Sequence, residues 1–184
     1  MQGFGQADEY PTGIAIVTTD SKASIGESVT VSANLVDANG KILATEEQVE
    51  QFNWVGQQLV MPISFDLSNQ PRAKAAKIEA SASISDYGMN SEERAPLPTL
   101  SSVEVKRGEY GGRTATFAFK NTTAEALKNL RVGVVCYVKA GSIIGGSSEY
   151  PSLAAPGSTI RIDSEVTTSE MPANCKAFPN YDVS

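Results

Sequence analysis

The chain contains no histidine among its 184 residues, and this absence narrows the chemistry open to it. Without histidine there is no Ser-His-Asp triad, no Cys-His dyad and no histidine-ligated metal site. The sequence also lacks Gly-x-Ser-x-Gly, Ser-x-x-Lys and a phosphate-binding Walker loop. We therefore expect no catalytic residues, no metal ligands and no cofactor, and we expect that the protein is not an enzyme.

The sequence also has no apolar run of the roughly 20 residues that a membrane helix needs. Its start, Met1 to Gln6, lacks the charged and apolar regions of a signal peptide. We expect a chain without a transmembrane segment, cut from a longer precursor that carries a secretion signal or a lipid anchor.

Basic residues are too few for a nucleic-acid-binding protein, since the net charge is −6. Residues 1–100 carry 13 acidic and 6 basic side chains, whereas residues 101–184 carry 8 and 9. Seven of those nine lie between Lys106 and Lys139. They are interpreted as lysines and arginines that protect strand edges or as a weak surface for a polyanion.

Alternation with a period of two, in segments rich in Thr, Val and Ile, dominates the chain. It predicts strands at 13–19, 28–36, 59–66, 77–84, 103–106, 114–119, 130–138 and 159–166. About six short strands per hundred residues, separated by glycine turns, are typical of antiparallel β-sandwiches.

The two halves of the chain repeat each other at an offset of 101 residues, without a gap, from about residue 11 to residue 67. The apolar positions stay in phase: Ile14 and Ile16 fall on Ala115 and Phe117, Leu35 on Cys136, and Phe65 on Val166. A slip of one residue would turn the core face of a strand to solvent, so the retained phase predicts an internal duplication.

The repeat predicts two tandem domains, at 1–88 and 101–184, with a polar linker at 89–100 that contains two prolines. The first strand of the first domain is poor or missing, because residues 2–5 read Gln-Gly-Phe-Gly. Residues 47–52 match 148–153, where Pro151 opposes a helix, so both are predicted to be loops with at most one helical turn. Glu46, Glu47 and Glu50 then form a solvated loop or a contact for a cation or partner.

Turn residues agree between the two halves. Asn-Gly between two strands is a strong hairpin signal, and glycine supports the positive φ of tight turns. The residues predicted to form these turns are Asn39, Gly40, Gly56, Gly141, Pro156 and Gly157.

The second half carries an ordered series of motifs that resembles a known family. They are Phe117 to Thr123, Leu127 to Val132, Tyr137 to Gly141, Ile143-Ile144, and Leu153 with Pro156-Gly157-Ser158. The series is similar to the FxLYD-type bacterial domains, over about residues 101–168 and more loosely in the first half. Lys139 replaces the usual acidic turn residue, and Val55 replaces the turn proline of the first half. The resemblance implies immunoglobulin-like β-sandwiches on the bacterial cell envelope, often in lipoproteins, without shared catalytic residues.

Two cysteines, Cys136 and Cys175, occupy the positions of Leu35 and Ile78 in the other half if one loop is shorter. They form a disulfide that closes a loop of about 40 residues, or they remain two buried thiols. The oxidising compartment that the resemblance implies favours the disulfide.

The favoured function is a noncatalytic extracellular spacer or interaction module of a secreted or surface-anchored bacterial protein. Its partner is an unknown protein or a cell-wall polymer. One alternative is an accessory module that binds carbohydrate or peptide, with Trp54, Phe52, Tyr150 and Tyr137 as candidate contacts. Trp54 also suits a role in the core. A second alternative is a pilin-like subunit in which a donated strand completes the first domain.

Overall fold

Strands form most of the regular structure in the residues that the computed structural model describes, which are 1–85, 87, 92–108 and 112–181. The first half has strands β1 Gln2–Gly5, β2 Thr12–Thr18, β3 Ser28–Val36, β4 Ile42–Gln51, β5 Gln58–Ser64 and β6 Lys77–Ile84, with a 3-10 helix at Lys22–Ser24. The second half has strands β7 Leu100–Ser101, β8 Glu104–Arg107, β9 Arg113–Lys120, β10 Leu127–Lys128, β11 Arg131–Tyr137, β12 Ile143–Glu149, β13 Leu153–Ala154, β14 Thr159–Glu165, β15 Thr167–Thr168 and β16 Asn174–Asn180. The strand pairs are antiparallel, so the fold is all-β, as the sequence predicts.

Four sheets lie in layers, together with a small β10–β13 ribbon. The first half pairs an outer sheet, β4-β3-β6, with an inner sheet, β1-β2-β5. The second half pairs an inner sheet, β15-β12-β11-β16-β7, with an outer sheet, β14-β9-β8. The two inner sheets pack on each other through a third apolar cluster, so the two sandwiches stack face to face.

Both halves use the same strand order. Strand β3 lies between β4 and β6 as β11 lies between β12 and β16, and β2 lies between β1 and β5 as β9 lies between β8 and β14. A register shift interrupts β3 after Leu35 and β11 after Cys136, which are 101 residues apart. The shared order fits a duplication, whose origin remains a prediction.

The ungapped offset of 101 is wrong at β2. Ala15 and Val17 contact the core of the first sandwich, as Phe117 and Phe119 contact that of the second, so β2 matches β9 at an offset of 102. Ile14 belongs to the cluster between the inner sheets, with Ile16 packed against it. Burial on both faces gives β2 a continuous apolar run, and such a run does not indicate which alternate residues face which core.

The same one-residue shift changes the end of that strand. Thr19, rather than Asp20, takes the place of Asn121. The Thr19 hydroxyl accepts a hydrogen bond from the backbone N–H of Ser21, and the Asn121 side chain accepts one from Thr123 N–H. Both side chains thus satisfy a backbone donor two residues further on, as in an ST or Asx turn.

Three further expectations are corrected by the structure. The first strand is present, because β1 pairs with β2 along its whole length. Residues 47–51 belong to β4 rather than to a loop, since every one of them pairs with β3. In the predicted linker, residues 92–100 pack against the sandwiches, with the Arg94 N–H donating to the Asn53 carbonyl at 2.8 Å. Residues 89–91 of that linker lie outside the described residues.

Side chains that point out of each sandwich determine which sheet is covered. Along β3 these are Thr30, Ser32 and Asn34, which suit a solvated outer sheet. Along β11 the equivalent positions include Gly133 and Val135, and all but the last residue of this strand is buried. An apolar outward face has to be covered, which the inner sheet of the first half does.

Candidate functional site

A disulfide joins Cys136 of β11 to Cys175 of β16. The two residues lie directly opposite each other, as Leu35 and Ile78 do in the first half. Both cysteines are fully buried. The bridge therefore replaces an aliphatic cross-strand contact, and with a separation of 39 residues it stabilises the fold by about 4 kcal/mol in the chain-entropy model.

Matching turns lie at the ends of both sandwiches. Gly40 and Gly141 have φ of +83° and +88°, and Gly56 and Gly157 have +76° and +71°. In the first hairpin, Asn39 N–H and Lys41 N–H both donate to the carboxylate of Asp37. These bonds, that of Lys41 above all, lower the pKa of Asp37.

The second pair of turns is held by the neighbouring strand. The Gly157 N–H donates to the Asn121 carbonyl at 2.9 Å, as the Gly56 N–H does to Thr19. Pro156 precedes Gly157 at the corner of this turn. The predicted turn residues thus position the strands that they connect.

The four candidate aromatic contacts do not share one surface. Phe52 is fully buried in the first core, and Trp54 is 8% exposed and packs in the second. Tyr150 is 64% exposed, whereas Tyr137 is half-buried beside the inner-sheet cluster. They therefore form no joint aromatic platform.

The seam between the two inner sheets has an apolar centre, which sequence patterns did not reveal. Ile14 and Val60 from the first half contact Val135 and Phe178 from the second. Gly133 allows this approach, because a Cβ there would lie 2.7 Å from the Val60 carbonyl oxygen. The signal for this surface was the apolar character of both faces of β2 and β5.

A buried ion pair lies at one side of the seam. Glu50 of β4 pairs with Arg131 of β11, and both side chains are less than a tenth exposed. Glu50 also accepts a hydrogen bond from the Gln48 side chain. Of the three glutamates considered together in the sequence, Glu50 thus serves the contact between the halves, while Glu47 accepts a bond from Ser32 on the outer sheet.

A buried amide cluster continues the seam. The side-chain oxygen of Asn180 accepts hydrogen bonds from Asn53 Nδ2 at 2.9 Å and from Gln57 Nε2 at 2.7 Å. The Gln57 oxygen in turn accepts from the Asn53 N–H at 2.7 Å. Because buried polar groups are costly unless they are paired, this network favours one relative placement of the halves.

Trp54 closes this side of the seam. Its ring meets Tyr181 edge to face, with centroids 6.2 Å apart, and the Arg94 guanidinium lies 4.4 Å from the Tyr181 ring centroid. The Tyr181 hydroxyl donates to the Ala95 carbonyl. Burial raises the pKa of Tyr181. Trp54, one of the four candidate aromatic contacts, thus packs between the halves.

On another side the seam opens into a cleft of about 690 Å³. Its apolar walls include Ile16, Phe178 and Tyr137, and Lys139 and Lys176 also line it. Burial raises the pKa of the Tyr137 hydroxyl. In this cleft one of the predicted aromatic residues, Tyr137, borders open space, and the exposed Tyr150 lies in a different groove.

No protein-family model matches the chain, and neither does any curated protein. The FxLYD resemblance therefore stays a prediction. No helix in the described part of the chain is long and apolar enough to span a membrane. Among the same residues, no three His, Cys, Asp or Glu side chains are placed to hold a metal ion.

Proposed function

We propose that this chain is a noncatalytic spacer and interaction module of a secreted or surface-anchored bacterial protein. The seam carries the proposal. Its apolar centre, the Glu50–Arg131 pair and the Asn180 cluster tie the two sandwiches at several points. Sandwiches held in this way act as one rigid body that keeps its two ends at a fixed distance.

The buried disulfide supports the compartment of this proposal. Disulfides persist in oxidising environments and are rare where thiols are kept reduced. Alkylation of intact cells before lysis, followed by mass spectrometry of the peptides with Cys136 and Cys175, measures the state of the pair. We expect the bonded form, and two alkylated thiols would contradict an extracellular location.

Residual dipolar couplings test the rigid-body role. Backbone couplings are measured on the whole chain in a weakly aligned medium and fitted separately for strands β1–β6 and β7–β16. We expect a single alignment tensor for both sets. Two different tensors would show independent domains and would contradict the rigid spacer.

A second candidate, an accessory module that binds peptide or carbohydrate of the cell envelope, is favoured by the cleft beside Tyr137. Titration of the isotope-labelled chain with cell-wall oligosaccharides tests it, with shifts expected at Ile16, Tyr137 and Phe178. Shifts absent from the cleft would contradict it. The third candidate, a pilin-like subunit, loses its original basis because β1 is present.

A further inference from the structure

The outer sheet of the first half ends at β6, and part of that edge carries unpaired backbone groups. In an antiparallel strand, alternate residues direct both backbone groups away from the paired neighbour. The side-chain amide of Gln2 donates to the Ile78 carbonyl and accepts from the Ala80 N–H, both at 2.9 Å. These even-numbered residues therefore face away from β3, and so does Ala82.

Beyond Gln2, no residue that the structure describes pairs with this edge. Among the described residues, no donor or acceptor meets the outward N–H and C=O of Ala82. Ala82 is exposed although its side chain lies on the core-facing side of the strand, and Ile84 on the same side is 42% exposed. A groove of about 410 Å³ beside them is lined by apolar side chains that include Val17 and Val31.

The equivalent edge of the second half is closed by several contacts along its length. Strand β7 pairs with β16 at Lys176 and Ala177, and Ser102 N–H donates to the Cys175 carbonyl at 2.9 Å. Pro179 takes the register position of Ala82 and has no N–H to offer.

The last closing contact on that edge is at Tyr181, which takes the position of Ile84. It is covered by Ala95 and Arg94, and Leu97 and Leu100 pack into the adjacent core. Among the residues that the structure describes, the same sheet edge is thus covered by an extended segment in one half and unpaired at Ala82 in the other.

We propose that the edge of β6 around Ala82, beyond the Gln2 side chain, accepts an extended peptide strand from a partner protein, with aliphatic side chains in the adjacent groove. The proposal deepens the interaction role proposed above and rests on it. The segment that covers β16 in the second half indicates what kind of peptide would bind. It places Leu97 and Leu100, three residues apart, against the core, and Arg94 lies on its N-terminal side. A basic residue on the partner also suits the acidic first half.

The opposite edge of the same sheet does not suit this role. Strand β4 carries Glu46 and Glu47 there, and charged side chains on an edge strand oppose pairing with another chain. Along β6 the ion pair between Lys77 and Glu79 lies before the open stretch. Residues 80–83 are Ala or Ser, so the backbone there is accessible to an added strand.

The probe is a synthetic peptide with the sequence of residues 94–103, titrated into the isotope-labelled whole chain. We expect amide shifts at residues 80–84, methyl shifts at Val17 and Val31, and slower hydrogen exchange at the Ala82 N–H. Absence of these changes at saturating peptide would overturn the proposal. A dimer that protects Ala82 without peptide would also overturn it, because the occupant would then be a second copy.

A matched pair of variants isolates the edge. Ala82→Pro copies Pro179 and removes the outward N–H, which makes no bond to β3, so the fold is expected to persist. It lowers peptide affinity at least about tenfold. Ala82→Ser keeps the N–H and binds like the original chain. Equal binding by both variants would overturn the proposal, and circular dichroism with thermal unfolding checks that both fold.

These outcomes are separate from those of the proposed function. If the peptide does not bind while both halves share one alignment tensor, the rigid spacer stands and strand acceptance fails. If the tensors differ while the peptide binds, the spacer fails and strand acceptance at β6 stands without it.

Discussion

The two halves of this chain share one strand order but bury opposite sheets in the seam. In the first half the sheet β1-β2-β5 is covered on both faces, whereas its counterpart β14-β9-β8 is covered on one. The counterpart β9 carries Thr116 and the exposed Ala118 on its outward face, where β2 carries Ile14 and Ile16. A few outward side chains therefore decide how equivalent sandwiches stack.

The stacking is head to tail, and this arrangement leaves both outer faces polar. If the packing of the seam were repeated on the outer sheets, the molecule would associate in open rows. Thr30 and Asn34 on one outer sheet, and the exposed Arg161–Asp163 pair on the other, oppose such growth. The two outer sheets thus carry polar outward side chains at places where the two inner sheets carry apolar ones.

The largest expected effect comes from the buried ion pair that occurs at the seam. Arg131→Ala leaves Glu50 buried without its partner and lowers the free energy of unfolding by about 3–5 kcal/mol. Urea denaturation monitored through Trp54 fluorescence measures this. The matched control is Arg161→Ala, which breaks an exposed pair and leaves the midpoint nearly unchanged. Equal effects of the two variants would contradict a buried seam.

A second test compares the disulfide of the second half with the aliphatic pair at the same place in the first half. Cys136→Ala with Cys175→Ala removes the bridge, and the chain-entropy estimate is a loss of about 4 kcal/mol of stability. The control, Cys136→Leu with Cys175→Ile, installs the pair that the first half uses and recovers part of that loss. Denaturation midpoints compare the three chains. If the control were no more stable than the alanine variant, the two positions would not be equivalent.

A smaller loss is expected at the amide cluster. Asn180→Ala removes the acceptor of the Gln57 side-chain amide and one of the two acceptors of the Asn53 side-chain amide, which costs about 1–3 kcal/mol. Ser83 holds the same register position in the first half and is exposed, so Ser83→Ala is expected to have almost no effect. Thermal unfolding of both variants tests the contrast, and a Ser83 effect as large as that of Asn180 would refute it.

How far the sequence could predict the fold depends on whether a strand is covered on one face or on both faces. Leu35 and Ile78 have one core to face, so their equivalence to Cys136 and Cys175 was visible as a conserved phase between the halves. Ile14 faces another sandwich, and no pattern within β2 tells an intersheet contact from a core contact. The residues of the seam were missed for this reason.

Sequence motifs likewise predicted the structure correctly where contacts within the same segment determine it. The Asn39-Gly40 hairpin forms because its turn is closed by its own backbone and by Asp37. Residues 47–51 were predicted as a loop, yet pairing with β3 makes them a strand. The unpaired edge of β6 was invisible in the sequence, because it depends on what covers the strand in space.

The smallest expected effect concerns pH. The folded pKa of Asp37 is below its ordinary value of 3.8, chiefly because Lys41 N–H donates to the carboxylate. The contribution of Asp37 to the free energy of unfolding is therefore complete above pH 3.8 and is lost as the pH falls through the folded pKa. The second hairpin has Val138 at this place and no such dependence. Asp37→Asn and the original chain are expected to converge in stability as the pH is lowered, and a constant gap in acid denaturation curves would contradict this.

Nuclear Overhauser contacts across the seam test the central claim most directly. A methyl-labelled sample of the whole chain is examined for cross-peaks from Ile14 and Val60 to Val135 and the Phe178 ring. Face-to-face stacking of the inner sheets predicts that these cross-peaks are present. Their absence, in a chain whose Leu35–Ile78 contacts are observed, would show two folded sandwiches that do not stack and would contradict the account.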